Sequence, residues 1–89
     1  MAARDRGVYT GGVSEPPILD LKGLKCPLPV LRTRKALRRL PPGGAIVVLS
    51  TDPLAGLDIP HMAAEDGHRL VRQWQHGEAT AFHLVKVTL

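Results

Sequence analysis

Cysteine is nearly absent from this chain: 89 residues carry one, Cys26. A lone thiol excludes an internal disulfide, and no Cys/His cluster has the spacing of a structural zinc site. The histidines, His61, His68, His76 and His83, are scattered and read as surface or structurally satisfied side chains, so no metal is expected. Aromatics are as scarce, with one Tyr, one Trp and one Phe (Tyr9, Trp74 and Phe82). The core must therefore be aliphatic, and Trp74 and Phe82 suit hairpin or core packing better than a base-stacking platform. No apolar run approaches the roughly 20 residues that span a bilayer. Met1 to Glu15 has charges but no apolar h-region, which argues against a secretory signal. A cytoplasmic location is the expectation, and a reducing compartment suits a working thiol. A chain this short forms one domain that buries only about 60–65% of its unfolded surface.

Acidic residues are missing from one stretch. Between Lys22 and Arg39 lie seven basic side chains and no Asp or Glu, while the whole chain is only +4, so the remainder sums to −3. Arg32, Lys35 and Arg39 repeat at helical spacing and form a candidate docking face for an acidic partner. The plainer alternative is a solvated helix face.

What is present is strong punctuation. Met1 to Glu15 is small, polar and aperiodic, and reads as a flexible tail preceding a domain over 16–89. Pro16-Pro17 closes the tail, and Ile18 to Leu21 reads as a short strand. A helix follows from Pro27 to Leu40, with Val30, Leu31, Leu37 and Leu40 on one broad apolar face. Pro41-Pro42-Gly43-Gly44 stops it. Ala45 to Leu49 reads as a buried central strand. Thr51-Asp52-Pro53 is a turn, and Asp58 is expected to cap a second helix with Pro60 in its first turn and Gly67 just past its end. Two strands, His68 to Gln75 and Ala79 to Val87, form a hairpin with imperfect alternation. The order β-α-β-α-β-β predicts an α/β (α+β) two-layer sandwich: a four-stranded mixed sheet with two helices on one face.

Cys26 stands at the first helix, in Gly23-Leu24-Lys25-Cys26-Pro27-Leu28-Pro29-Val30. Proline is tolerated in a first helical turn, because the N–H it lacks would have no partner there. The dipole of that end favours an anion, and Lys22 and Lys25 flank the site. Thiols so placed can fall to pKa values of about 3.5–7.5, so a lowered thiol pKa is expected. The competing reading is an inert buried cysteine.

Leu19-Asp20-Leu21-Lys22-Gly23-Leu24-Lys25-Cys26-Pro27-Leu28-Pro29 resembles the signature of the TusA/SirA-like sulfur-carrier family. Asp52-Pro53-Leu54-Ala55-Gly56-Leu57-Asp58-Ile59-Pro60 is similar to that family's second motif. The resemblance implies a small two-layer sandwich whose C-P-x-P cysteine, here Cys26, accepts a sulfane sulfur as a persulfide and passes it on. Pro27 and Pro29 would shape the helix entry, with Lys22 and Lys25 in support and Arg32, Lys35 and Arg39 docking partners. Implied donors are a cysteine desulfurase or rhodanese. Implied acceptors serve tRNA thiolation, sulfur oxidation or cofactor sulfuration. The task is a sulfurtransferase-type relay rather than stand-alone turnover, with no cofactor beyond the transient persulfide sulfur. A monomer when free and no direct nucleic-acid binding are expected. Asp52 and Asp58 read as turn and cap residues rather than catalytic carboxylates. Two rival classes stand beside this one: a non-catalytic basic module for RNA or an acidic protein, and a thiol-based regulator. The two-layer order also resembles the RNA-binding C-terminal domain of bacterial translation initiation factor three, a likeness of fold only.

Overall fold

The computed structural model describes residues 16–87. The expected tail, 1–15, lies outside the described residues. The order is β1 (Ile18–Asp20), α1 (Leu28–Arg39), β2 (Ala45–Ser50), α2 (Ala55–Glu65), β3 (Arg69–His76) and β4 (Ala79–Val85). The sheet runs β1-β2-β4-β3. β1 is parallel to β2, and the other pairings are antiparallel. The parallel pair needs a crossover, which α1 supplies.

Strand alternation sorts the sheet into two faces. Ile46, Val48, Phe82 and Leu84 point to the helices and meet Leu37 of α1 and Ile59, Met62 and Ala63 of α2 in the main core. Phe82 is fully buried there. The other face carries a smaller cluster of Leu49, Ala79 and Ala81, with Val47 and Trp74 against it. Arg72 stacks over the Trp74 ring at 4.7 Å, a partly exposed cation–π contact. The imperfect alternation of β3 has a physical cause. Its register against β4 shifts between Leu70 and Arg72, leaving Val71 as an unpaired, exposed residue.

α1 buries Pro29, Thr33 and Leu37 along one stripe and carries Arg38 and Arg39 in its last turn, where cations suit the dipole. Its end is tied down from afar: the buried Lys86 donates from Nζ to the Arg38 carbonyl at 3.1 Å. α2 departs from expectation. It starts at Ala55, its N-cap is Leu54, and no side chain caps it. Asp58 lies inside the first turn rather than before it, and Pro60 is interior. The donor Pro60 lacks would have faced the Gly56 carbonyl.

Candidate functional site

Backbone bonds position Cys26. Past β1, Leu21 N–H donates to the Leu49 carbonyl at 2.9 Å, and Leu24 N–H to the Leu21 carbonyl at 3.1 Å. Gly23, at φ +88°, donates its N–H to Thr51 Oγ1 at 2.9 Å. That left-handed value disfavours a side chain. The turn ends with Leu28 N–H on the Lys25 carbonyl at 2.9 Å. The Cys26–Pro27 peptide bond is cis. Cys26 is exposed on this braced turn.

The thiol's electrostatic setting is the reverse of the one expected. Cys26 Sγ lies 3.6 Å from Asp58 Oδ2, the S–H donating to the carboxylate. Its pKa is pushed up, first by desolvation, then by the Asp58 hydrogen bond and charge, and last by the charge of Asp52. The cause is tertiary: packing brings the Asp58 and Asp52 carboxylates to the sulfur, while Pro27 and Pro29 have no N–H to offer it and the Leu28 N–H is taken by the Lys25 carbonyl. Lys22 does not compensate: its backbone N–H and Nζ bond Asp20 at 3.0 and 3.3 Å. Asp20 is held below the usual carboxylate range, chiefly by that backbone bond. Lys25 is exposed beside the thiol.

Cys26 opens onto a groove of about 260 Å³ between α1 and α2, lined by Cys26, Pro27, Val30, Arg34, Asp58, His61, Met62 and Glu65. Arg34 braces its far side. Its Nε donates to Asp66 Oδ2 at 2.7 Å, and Nη2 lies 3.7 Å from Glu65 Oε1. His61 Nε2 is 3.5 Å from Glu65 Oε2. Asp58, Arg34, His61 and Glu65 were not among the site residues expected from sequence. The second motif did contain Asp58, and His61 and Glu65 follow it at helical spacing. Cys26, Asp52 and Asp58 also bring a sulfur and two carboxylate oxygens within 4.8 Å of one another, the one such donor cluster among the described residues. Exposed carboxylates commonly meet this way without a cation.

Arg32, Lys35 and Arg39 do come together, but elsewhere. With Leu19 and Ala36 they line a separate groove of about 480 Å³ beside α1 and β1. Pro29 is buried under α1, while Pro27 is exposed at the thiol.

The family model for "Sulfurtransferase TusA" matches residues 18–86, nearly everything described. The chain belongs to the TusA family. Among its relatives, the sulfur carrier protein TusA of Pseudomonas aeruginosa is 46% identical over 56 residues, covering 63% of this chain and 71% of the relative. TusA of Pseudomonas syringae pv. tomato is 39% identical over 69 residues, 78% of this chain and 81% of the relative. The SirA-like protein of Desulfitobacterium hafniense superposes with a TM-score of 0.71 at 26% identity, covering 81% of this chain and 99% of that one. The TusA-family fold is thus the mixed four-stranded sheet with two helices described above. Among the described residues, no helix is long and apolar enough to cross a membrane.

Proposed function

We propose that this TusA-family protein carries sulfane sulfur as a persulfide on Cys26 and relays it between a donor enzyme and an acceptor. The supporting observation is the sole thiol of the chain, exposed on a braced turn at the mouth of a groove. Transfer follows thiol–disulfide exchange. The Cys26 thiolate attacks the terminal sulfur of a donor persulfide, R–S–SH. The Cys26–S–SH bond forms, the donor S–S bond breaks, and R–S⁻ leaves with its electron pair. The proton released by Cys26 goes to that leaving thiolate. Net oxidation is nil, so the carrier needs neither oxidant nor cofactor. With no second cysteine to attack the persulfide internally, the sulfur departs only to another molecule.

The surface around the thiol suits protein partners. Leu28 and Leu31 of α1, and Leu54 and Leu57 of α2, are exposed large aliphatics at the starts of the two helices that flank the thiol's groove. Such side chains offer an apolar centre for a contact. The Arg32–Lys35–Arg39 groove lies apart from it and suits an acidic part of the same partner. A cysteine desulfurase or a rhodanese-type enzyme is the proposed donor. The acceptor belongs to tRNA thiolation, sulfur oxidation or cofactor sulfuration, in the cytoplasm.

Loading is read by intact mass. Incubation with a desulfurase and cysteine should add about 32 Da, reversible by reductant, one persulfide sulfur. Cys26→Ser should take up none. A wild-type chain that gains no reducible mass from any sulfane donor refutes the proposal. Binding of RNA by Cys26→Ser, lost on charge reversal at Arg32, Lys35 and Arg39 and falling steeply with salt, would favour the basic-module reading.

A further inference from the structure

We propose that Asp58 is a positioning residue that keeps the Cys26 sulfur as a protonated, hydrogen-bonded thiol in the free protein. The inference deepens the carrier reading and rests on Cys26 being the sulfur-bearing residue. It begins with an oddity of α2. Asp58 sits where a helix-capping aspartate was expected, yet it caps nothing. Among the described residues its carboxylate has one side-chain hydrogen-bond partner, Cys26 Sγ at 3.6 Å, and no ion pair. A first-turn helix position suits a carboxylate, and this one faces the thiol.

The other charges near the sulfur do not cancel it. Asp52, in the β2–α2 loop, adds a second anion within the same cluster. From α2, His61 and Glu65 face each other. From α1, Arg34 is engaged by Asp66 and Glu65. In the thiol's own loop Lys22 is held by Asp20, and Lys25 remains as the exposed cation. Carboxylates therefore dominate the immediate surroundings, in agreement with the upward direction of the Cys26 pKa.

The chemical consequence is a restraint on both half-reactions. Sulfur uptake needs Cys26 as a thiolate, and Asp58 lowers the thiolate fraction. Onward transfer needs Cys26 as a leaving group, and a higher leaving-group pKa slows its departure. The free carrier thus resists stray oxidants when empty and stray thiols when loaded. A docked partner that offsets the Asp58 charge lifts both restraints.

The test is the pH profile of iodoacetamide alkylation on the full chain. The signal is clean because Cys26 is the only cysteine. Asp58→Asn should move the midpoint to lower pH and raise the rate at pH 7 on the order of fivefold, about what one unit charge at this range gives at water's dielectric constant. Asp52→Asn should move it less, since Asp52 makes no hydrogen bond to the sulfur. Circular dichroism verifies that each variant is folded. If Asp58→Asn does not fold, the wild-type profile at 1 M salt replaces it, where screening of the carboxylate should again lower the midpoint. A midpoint that stays or rises in the folded variant, or stays in high salt where the variant fails, overturns the proposal. Alkylation needs no sulfur donor. A chain that never accepts sulfur would therefore sink the carrier reading while the profile still decided the role of Asp58.

Discussion

Thr33→Val should stabilise this protein. Thr33 lies on the core stripe of α1 and is fully buried, and its Oγ1 has no hydrogen-bond partner. A buried hydroxyl left unpaired costs about 1–3 kcal/mol in lost hydration. A helical threonine can recover part of this by bonding the carbonyl one turn back, but that bond is not made here. Valine keeps the branched shape, replaces the hydroxyl by a methyl, and has nearly the same helix propensity. Taking the low end of the range, the gain is about 1 kcal/mol. For a domain of this size that raises Tm by about 4–8 °C, and at a urea m-value near 1 kcal/mol per molar it moves the midpoint by about 1 M. Thr33→Ala is the control: it also removes the hydroxyl but leaves a void, and should gain less or lose stability. The assay is urea unfolding by circular dichroism with thermal melts alongside. A Thr33→Val midpoint equal to or below wild type would refute the reasoning, because it would mean the hydroxyl is satisfied in solution.

Arg34→Met removes the guanidinium that joins α1 to Asp66 and Glu65 while keeping most of the apolar stem. The pair is partly exposed, so the loss should be about 1 kcal/mol in the same unfolding assay. Asp20 has a depressed pKa, so its contribution is present above the ordinary carboxylate value of 3.8 and is lost as pH falls through its folded value. Asp20→Asn should therefore be less stable than wild type at neutral pH, with the gap closing as melts are taken below about pH 4. Reversing Arg32, Lys35 and Arg39 to Glu should leave the melting temperature within a few degrees of wild type. In stopped-flow or quenched transfer assays it should slow sulfur uptake from the donor and flatten its salt dependence.

The fold was legible because its punctuation is covalent. Pro16-Pro17, Pro41-Pro42-Gly43-Gly44 and Gly67 restrict or free the backbone wherever they occur, so six elements could be ordered from the chain alone. The start of α2 was not legible. The N-cap position before Ala55 holds Leu54 rather than Ser, Thr, Asn or Asp, and Asp58 has the composition of a cap without the position. The bulge at Val71 was visible only as broken alternation. The place of Cys26 followed from its prolines, but its electrostatics did not. A local rule about helix N-termini assumes free N–H donors and no anion alongside, whereas here Pro27 and Pro29 lack an N–H and a carboxylate faces the thiol. The charge that governs the sulfur comes from Asp58, 32 residues away in sequence, and only tertiary packing puts it there. Arg32, Lys35 and Arg39 converge as their helical spacing requires, in a groove separate from the one Cys26 opens onto.

That separation bears on how one small protein can serve two partners in turn. A carrier must meet donor and acceptor at the same atom, so any contact that binds one tightly delays the other. Long-range attraction speeds encounter more than it slows departure, which favours placing the cations away from the reacting centre, in the groove of Arg32, Lys35 and Arg39. Contacts at the centre are then left to short-range terms, among them the carboxylates beside Cys26. If the cations instead surrounded the sulfur, the thiolate would be favoured in every environment, and any disulfide or peroxide could consume it. Steering at a distance and restraint at the sulfur would thus be compatible, because the turn holds the thiol toward α2 while the cations ride the opposite flank of α1.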